Sequence, residues 1–109
     1  MDAQAFHRGA ELFNTGHYFD AHEIWEDVWR AAPAEEKKFL QGLIQIAVAL
    51  HHRSRGNPVG ARSLLARAQR NLSNYPDSYA GLDLAAVRQA ISNFEIALAE
   101  NKPCGFRIG

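Results

Sequence analysis

Apolar residues recur every three to four positions in five stretches of the chain, and no stretch keeps the period of two expected of a half-buried strand. The first stretch predicts a helix capped by Asp2 and running to about Asn14, with Ala5, Phe6, Gly9, Leu12 and Phe13 on its buried side. Thr15-Gly16-His17 breaks it, Gly16 being suited to the left-handed backbone that closes a helix. A second helix follows to Arg30. It turns Tyr18, Ala21, Trp25, Val28 and Trp29 inward and Asp20, Glu23, Asp27 and Arg30 outward. Ala31-Ala32-Pro33 separates it from a third, with Pro33 at the first helical position and Glu35 and Glu36 in the first turn, where negative charge is favoured.

From Phe39 to Leu50 the third helix is apolar nearly all round, which predicts the central buried element. Arg53 to Gly56 closes it. Asn57-Pro58 opens a fourth helix to about Leu72, burying Ala61, Leu64, Leu65, Ala68 and Leu72 and showing Arg62, Arg67 and Arg70 to solvent. The turn-rich Asn74-Tyr75-Pro76-Asp77-Ser78 connects to a fifth helix capped by Asp83, whose stripe is Leu84, Val87, Ile91, Phe94 and Leu98. Gly16 and Ala21 are echoed by Gly56 and Ala61, which resembles a tetratricopeptide-like helix pair. Two copies are too few for an open solenoid. The expectation is an all-α fold: a compact bundle of about five helices built from antiparallel helical hairpins. Residues 1–109 form a single domain, with 101–109 a loose tail.

Composition changes this picture little. A chain of 109 residues, 47% hydrophobic and 22% charged, is ordinary for one globular domain. The single cysteine, Cys104, excludes an internal disulfide framework and favours a reducing compartment. The start, Met-Asp-Ala-Gln, carries no readable secretory signal, and Leu43 to Leu50 is too short to span a bilayer. A cytoplasmic protein is expected, away from membranes.

Charge is more informative. The net charge is zero, yet residues 1–36 hold eight acids and two bases, while residues 37–76 hold seven bases and no acid. A basic block invites a nucleic-acid hypothesis, but no reading motif accompanies these arginines and an acidic block of similar size would cancel much of their field. The preferred expectation is that the two blocks pack against each other, within one subunit or between subunits of a homo-oligomer.

Two segments carry a resemblance. Gly-His-Tyr-Phe-Asp-Ala-His-Glu-Ile-Trp-Glu-Asp-Val-Trp-Arg at 16–30 and Phe-Leu-Gln-Gly-Leu-Ile-Gln-Ile-Ala-Val-Ala-Leu-His-His at 39–52 resemble the two main blocks of the domain-of-unknown-function 309 family. Arg-Gly-Asn-Pro-Val-Gly-Ala at 55–61, Tyr-Pro-Asp at 75–77 and Gly-Leu-Asp at 81–83 extend the likeness over nearly the whole chain. It implies a small all-α domain found in bacteria, archaea and plants. It implies no established activity, so function is argued from side chains.

On the second helix His22 and Glu26 stand one turn apart, beside Glu23 and between Trp25 and Trp29. On the third, Gln41, Gln45 and His52 form a polar line with Val48 between them. If the two helices are neighbours, these lines can meet. One outcome is a buried hydrogen-bond network in which the glutamines satisfy His22 and Glu26 and lock the register. Another is a ligand site. A third is a divalent-metal site of His22, Glu26 and His52, with Glu26 or Glu23 as base to a bound water. Glutamine is a poor metal ligand, and no second Glu-x-x-His pair exists to build a di-metal centre. The first expectation is therefore a non-catalytic helical domain that binds a protein segment or small polar ligand; the alternative is a metal-dependent, hydrolase-like enzyme with its His/Glu site between the second and third helices.

Overall fold

Capping side chains set three of the five helix starts, as the pattern predicts. In the computed structural model, which describes residues 1–109, α1 is Ala3–Asn14, α2 Tyr18–Ala31, α3 Ala34–Ser54, α4 Pro58–Leu72 and α5 Leu84–Ala99. The carboxylate of Asp2 accepts from the Ala5 amide, Asn57 from that of Gly60, and Asp83 from that of Ala86, each relieving one orphan N–H of a first turn. Pro33 sits one residue earlier than expected, as the N-cap of α3.

The two hairpin turns are built alike. Gly16 and Gly56 hold φ of 86° and 77°. Behind Gly16 the His17 amide donates to Leu12 O; behind Gly56 the Asn57 amide donates to His52 O, the same bond 40 residues on. Ala21 and Ala61 are both fully buried where their helices pack closely. The echo in the sequence is thus a repeated hairpin. With a radius of gyration of 12.8 Å, near the ~13 Å of a compact 100-residue domain, the repeat closes into a bundle and not an open array.

Helix α3 is the centre, packed by α2 on one flank and α4 on the other. Its Gly42 lets Leu72 of α4 approach so closely that a Cβ would lie 2.8 Å from Leu72 Cγ. Helix α1 packs on α2, and α5 on α4. The core runs through all five, from Phe6, Phe13 and Trp25 to Phe39, Leu43, Leu65, Leu72 and Ile91. Lys37, at the start of α3, donates to Trp29 O at the end of α2 and sits 4.3 Å above the Trp29 ring, which ties that hairpin shut.

Two features depart from expectation. The connection before α5 contains a short antiparallel ladder, Ser78–Tyr79 with Leu82–Asp83, turned by Ala80 and Gly81 at φ of 52° and 78°. Positive φ at both turn residues is the tight-hairpin geometry. And residues 101–109 are not loose. Ile108 is fully buried, Phe106 packs on Phe13 and Phe94, and the Ile108 amide donates to Asn14 Oδ1 at 2.8 Å while Asn14 Nδ2 donates back to Ile108 O. Two apolar anchors and one reciprocal amide clasp hold the tail to the end of α1.

Candidate functional site

Helices α2 and α4 stand on either side of α3, and the face of α3 between them is left open. This open face is a groove of about 310 Å³. Its α2 wall presents His22, Glu26, Trp29 and Arg30; its floor on α3 is Gln41, Ile44, Gln45 and Val48; Leu64 comes from α4. Heptad arithmetic explains the floor. Positions 41, 44, 45 and 48 follow one side of a helix, so the polar line read from the sequence is interleaved with Ile44 and Val48. The apolar members are half-buried, unlike the fully buried residues behind them.

His22 Nε2 and Glu26 Oε1 are 3.0 Å apart. The second oxygen of Glu26 lies 3.6 Å from Arg30, so one carboxylate is shared between an imidazole and a guanidinium at successive turns. Arg30 also pairs with Asp27. The His22 side chain is 19% exposed and that of Glu26 39%, a half-wet pair at a rim and not a charge sealed in the core. Two polar atoms beside it are closed off from solvent without a protein partner: His22 Nδ1 and the indole N–H of Trp29. The network expected between His22, Glu26 and the glutamines does not form. Gln45 Oε1 instead accepts from Asn71 Nδ2 of α4 at 2.8 Å, because α4 lies on that side of α3.

Of the residues singled out in the sequence, His22, Glu26, Trp29, Gln41 and Gln45 line the groove, and Trp25, Glu23 and His52 do not. Trp25 is fully buried against α1, donating its indole N–H to Phe6 O at 3.1 Å. Glu23 is exposed and enters no ion pair. His52 shares the α3 stripe but lies beyond the groove, its ring 6.4 Å from that of His51. The trio His22, Glu26 and His52 therefore does not converge, and no three His, Cys, Asp or Glu side chains gather where they could hold a metal ion. Arg30, Ile44 and Leu64 line the groove and were not assigned to it from the sequence, nor was Asn71, which reaches it only through Gln45. Arg30 had a signal, being one turn beyond Glu26. Asn71 had none.

The family described as Domain of unknown function (DUF309) matches residues 6–64, a span that contains every residue lining the groove. An uncharacterized protein from Aquifex aeolicus (strain VF5) is 36% identical over 80% of this chain and 26% of its own length. The uncharacterized protein YpuF from Bacillus subtilis (strain 168) is 43% identical over 57% of this chain and 36% of its own length. The chain thus spans roughly a quarter to a third of the curated relatives it matches. A crystal structure of a conserved hypothetical protein from Thermus thermophilus superposes with a TM-score of 0.71 at 35% identity, covering 84% of this chain and 95% of that one.

Proposed function

The chain belongs to the DUF309 family, and since that membership brings no activity with it, we propose that this is a non-catalytic binding domain whose α2–α3–α4 groove seats a helical segment of polypeptide. The single observation behind this reading is the groove's make-up. Trp29, Ile44, Val48 and Leu64 offer a half-buried apolar bed, and His22, Glu26, Arg30 and Gln41 surround it with hydrogen-bonding groups. An apolar centre with a polar rim is the anatomy of a recognition surface. At about 310 Å³ the space is at the floor of the roughly 300–1,000 Å³ that pockets for whole small ligands occupy. It suits a few anchoring side chains of a longer partner. An amphipathic helix laid between two helices supplies such anchors at i, i+3 and i+4.

Peptides selected from a helical display library, with counter-selection on a Val48→Glu protein, test the proposal. Those retained should first perturb the NMR signals of His22, Glu26, Ile44, Leu64 and the Trp29 indole, and should bind Ile44→Glu at least about tenfold more weakly. Selected peptides that map to another face, or that bind Ile44→Glu as well as wild type, would sink it.

A further inference from the structure

The two sorted charge blocks do not neutralise each other inside the molecule. No ion pair joins residues 1–36 to residues 37–76. The second block holds seven bases and no acid. Two of those bases are spent within the fold: Lys37 on Trp29 O and the Trp29 ring, Arg53 on Lys102 O and the face of Phe94. The others, Lys38, Arg55, Arg62, Arg67 and Arg70, are exposed and enter no ion pair.

Helix geometry puts three of these free cations around the groove. Its floor on α3 is fixed by Gln41, Gln45 and Val48. Lys38 lies three residues before Gln41 and seven before Gln45, and Arg55, the C-cap residue, lies seven after Val48. One stripe of α3 therefore carries a free cation at each end, about 25 Å apart at ~1.5 Å per residue. On α4, Leu64 lines the groove and Asn71 reaches Gln45. Arg67, three residues after Leu64 and four before Asn71, stands on that same side of the helix. The α2 wall differs. Its His22, Glu26 and Arg30 pair with one another and Arg30 with Asp27, so the charges it shows the groove are already matched along the wall.

We propose, building on the groove as a seat for a helix, that the segment it takes is acidic. The partner is an amphipathic helix of about four to five turns, the length set by Lys38 and Arg55. Its apolar stripe enters between α2 and α4, and its Asp and Glu side chains lie on the flank beside α4 and toward its ends. Complementarity runs one way. An acidic flank against α4 meets a free guanidinium, whereas a basic flank meets only like charge. A nucleic-acid strand would find the same cations but a poor bed. Ile44, Val48 and Leu64 are aliphatic, and Trp29 already carries Lys37 on its ring, so bases have no stacking platform.

Helical-library peptides that bind the wild-type protein and perturb the Ile44 and Leu64 NMR signals supply the test. They should carry Asp or Glu on one flank of the apolar stripe and should bind more weakly as salt is raised. Arg67→Glu should weaken the tightest of them by at least about threefold, and Lys38→Glu, Arg55→Glu and Arg67→Glu combined by at least about tenfold, with helicity unchanged by circular dichroism. Changing that peptide's flank acids to lysine should lose affinity for the wild type and regain it on the triple variant, a rescue that a merely structural effect would not produce. Groove-binding peptides with neutral or basic flanks, or a triple variant that binds as well as wild type, would overturn the acidic partner and leave the groove reading standing. If no library peptide maps to the groove, both fall. An RNA or DNA oligonucleotide that binds through the same three cations more tightly than any selected peptide, and is indifferent to Val48→Glu, would also overturn the proposal.

Discussion

Replacing Gly9 by alanine sets two well-calibrated effects against each other. In the middle of α1 an alanine is ordinarily worth about 1 kcal/mol over glycine, because it restricts the unfolded chain and keeps helical propensity high. Here the new Cβ would lie 2.3 Å from Trp25 Nε1 and 2.6 Å from its Cδ1. The indole cannot retreat. It is fully buried, lies between the rings of Phe6 and Phe13 at 6.2 and 5.9 Å, and donates to Phe6 O at 3.1 Å. Forcing α1 away from α2 costs about 1–3 kcal/mol in overpacking. If the indole bond also breaks, a buried donor is stranded at about 1–3 kcal/mol more. With the 2.3 Å approach falling on the indole nitrogen itself, that bond is lost and the clash wins, so Gly9→Ala should destabilise the fold by about 1–5 kcal/mol after the propensity gain is counted. Urea unfolding followed by tryptophan fluorescence and circular dichroism should show a lower midpoint with an unchanged slope. In combination with Trp25→Phe the two losses should fall short of additivity by about 1 kcal/mol or more, since the smaller ring relieves the clash. A Gly9→Ala protein as stable as wild type, or more stable, would refute the account of how α1 and α2 meet.

Three further outcomes are expected. The Tyr75 hydroxyl accepts from the Phe39 amide and donates to Glu35 O, two peptide groups one turn apart on α3, so Tyr75→Phe should cost about 1–2 kcal/mol in thermal unfolding; no change would remove that bridge from the account. Ile108→Ala should cost about 2–5 kcal/mol, as for a core residue, whereas an unanchored tail would register nothing. The Tyr79 phenol is raised above its usual 10.0, chiefly by burial and then by repulsion from Glu36, Tyr75 and Glu35. Folding favours its neutral form, so that contribution to stability is intact below 10.0 and is lost as pH rises through the folded value. Phenolate absorbance compared with that of Tyr79→Phe should show this phenol ionising above 10.0, and ionisation at or below 10.0 would refute this.

Most of the fold was legible because helices announce themselves locally. The period of the apolar residues placed all five, Asp2, Asn57 and Asp83 marked three starts, and Gly16 and Gly56 marked the two matching turns. Spacing also brought His22, Glu26 and Trp29 to one side of α2. What spacing could not supply is the identity of the neighbour across an interface. Trp25 and Trp29 are one turn apart, yet the packing angle of α1 on α2 seals the first and leaves the second at the groove. Gln45 answers to Asn71 because α4 lies on that side of α3, a fact of tertiary arrangement with no local trace. The tail was missed for the same reason. Phe106 and Ile108 form no periodic pattern, and their partners Phe13, Phe94 and Asn14 are remote in sequence.

The Asn14–Ile108 clasp joins residues 94 positions apart, in a bundle whose main helix pairings run between consecutive helices. Closing a free loop of that length would cost on the order of 4 kcal/mol in chain entropy, too much for one amide pair to repay early. The hairpins, needing only short closures, assemble first, and the cost of the clasp shrinks once they have brought α1 and α5 into place. The clasp is then a late event that mainly slows opening. It works as a latch on a finished bundle, holding shut a protein whose construction it does not direct.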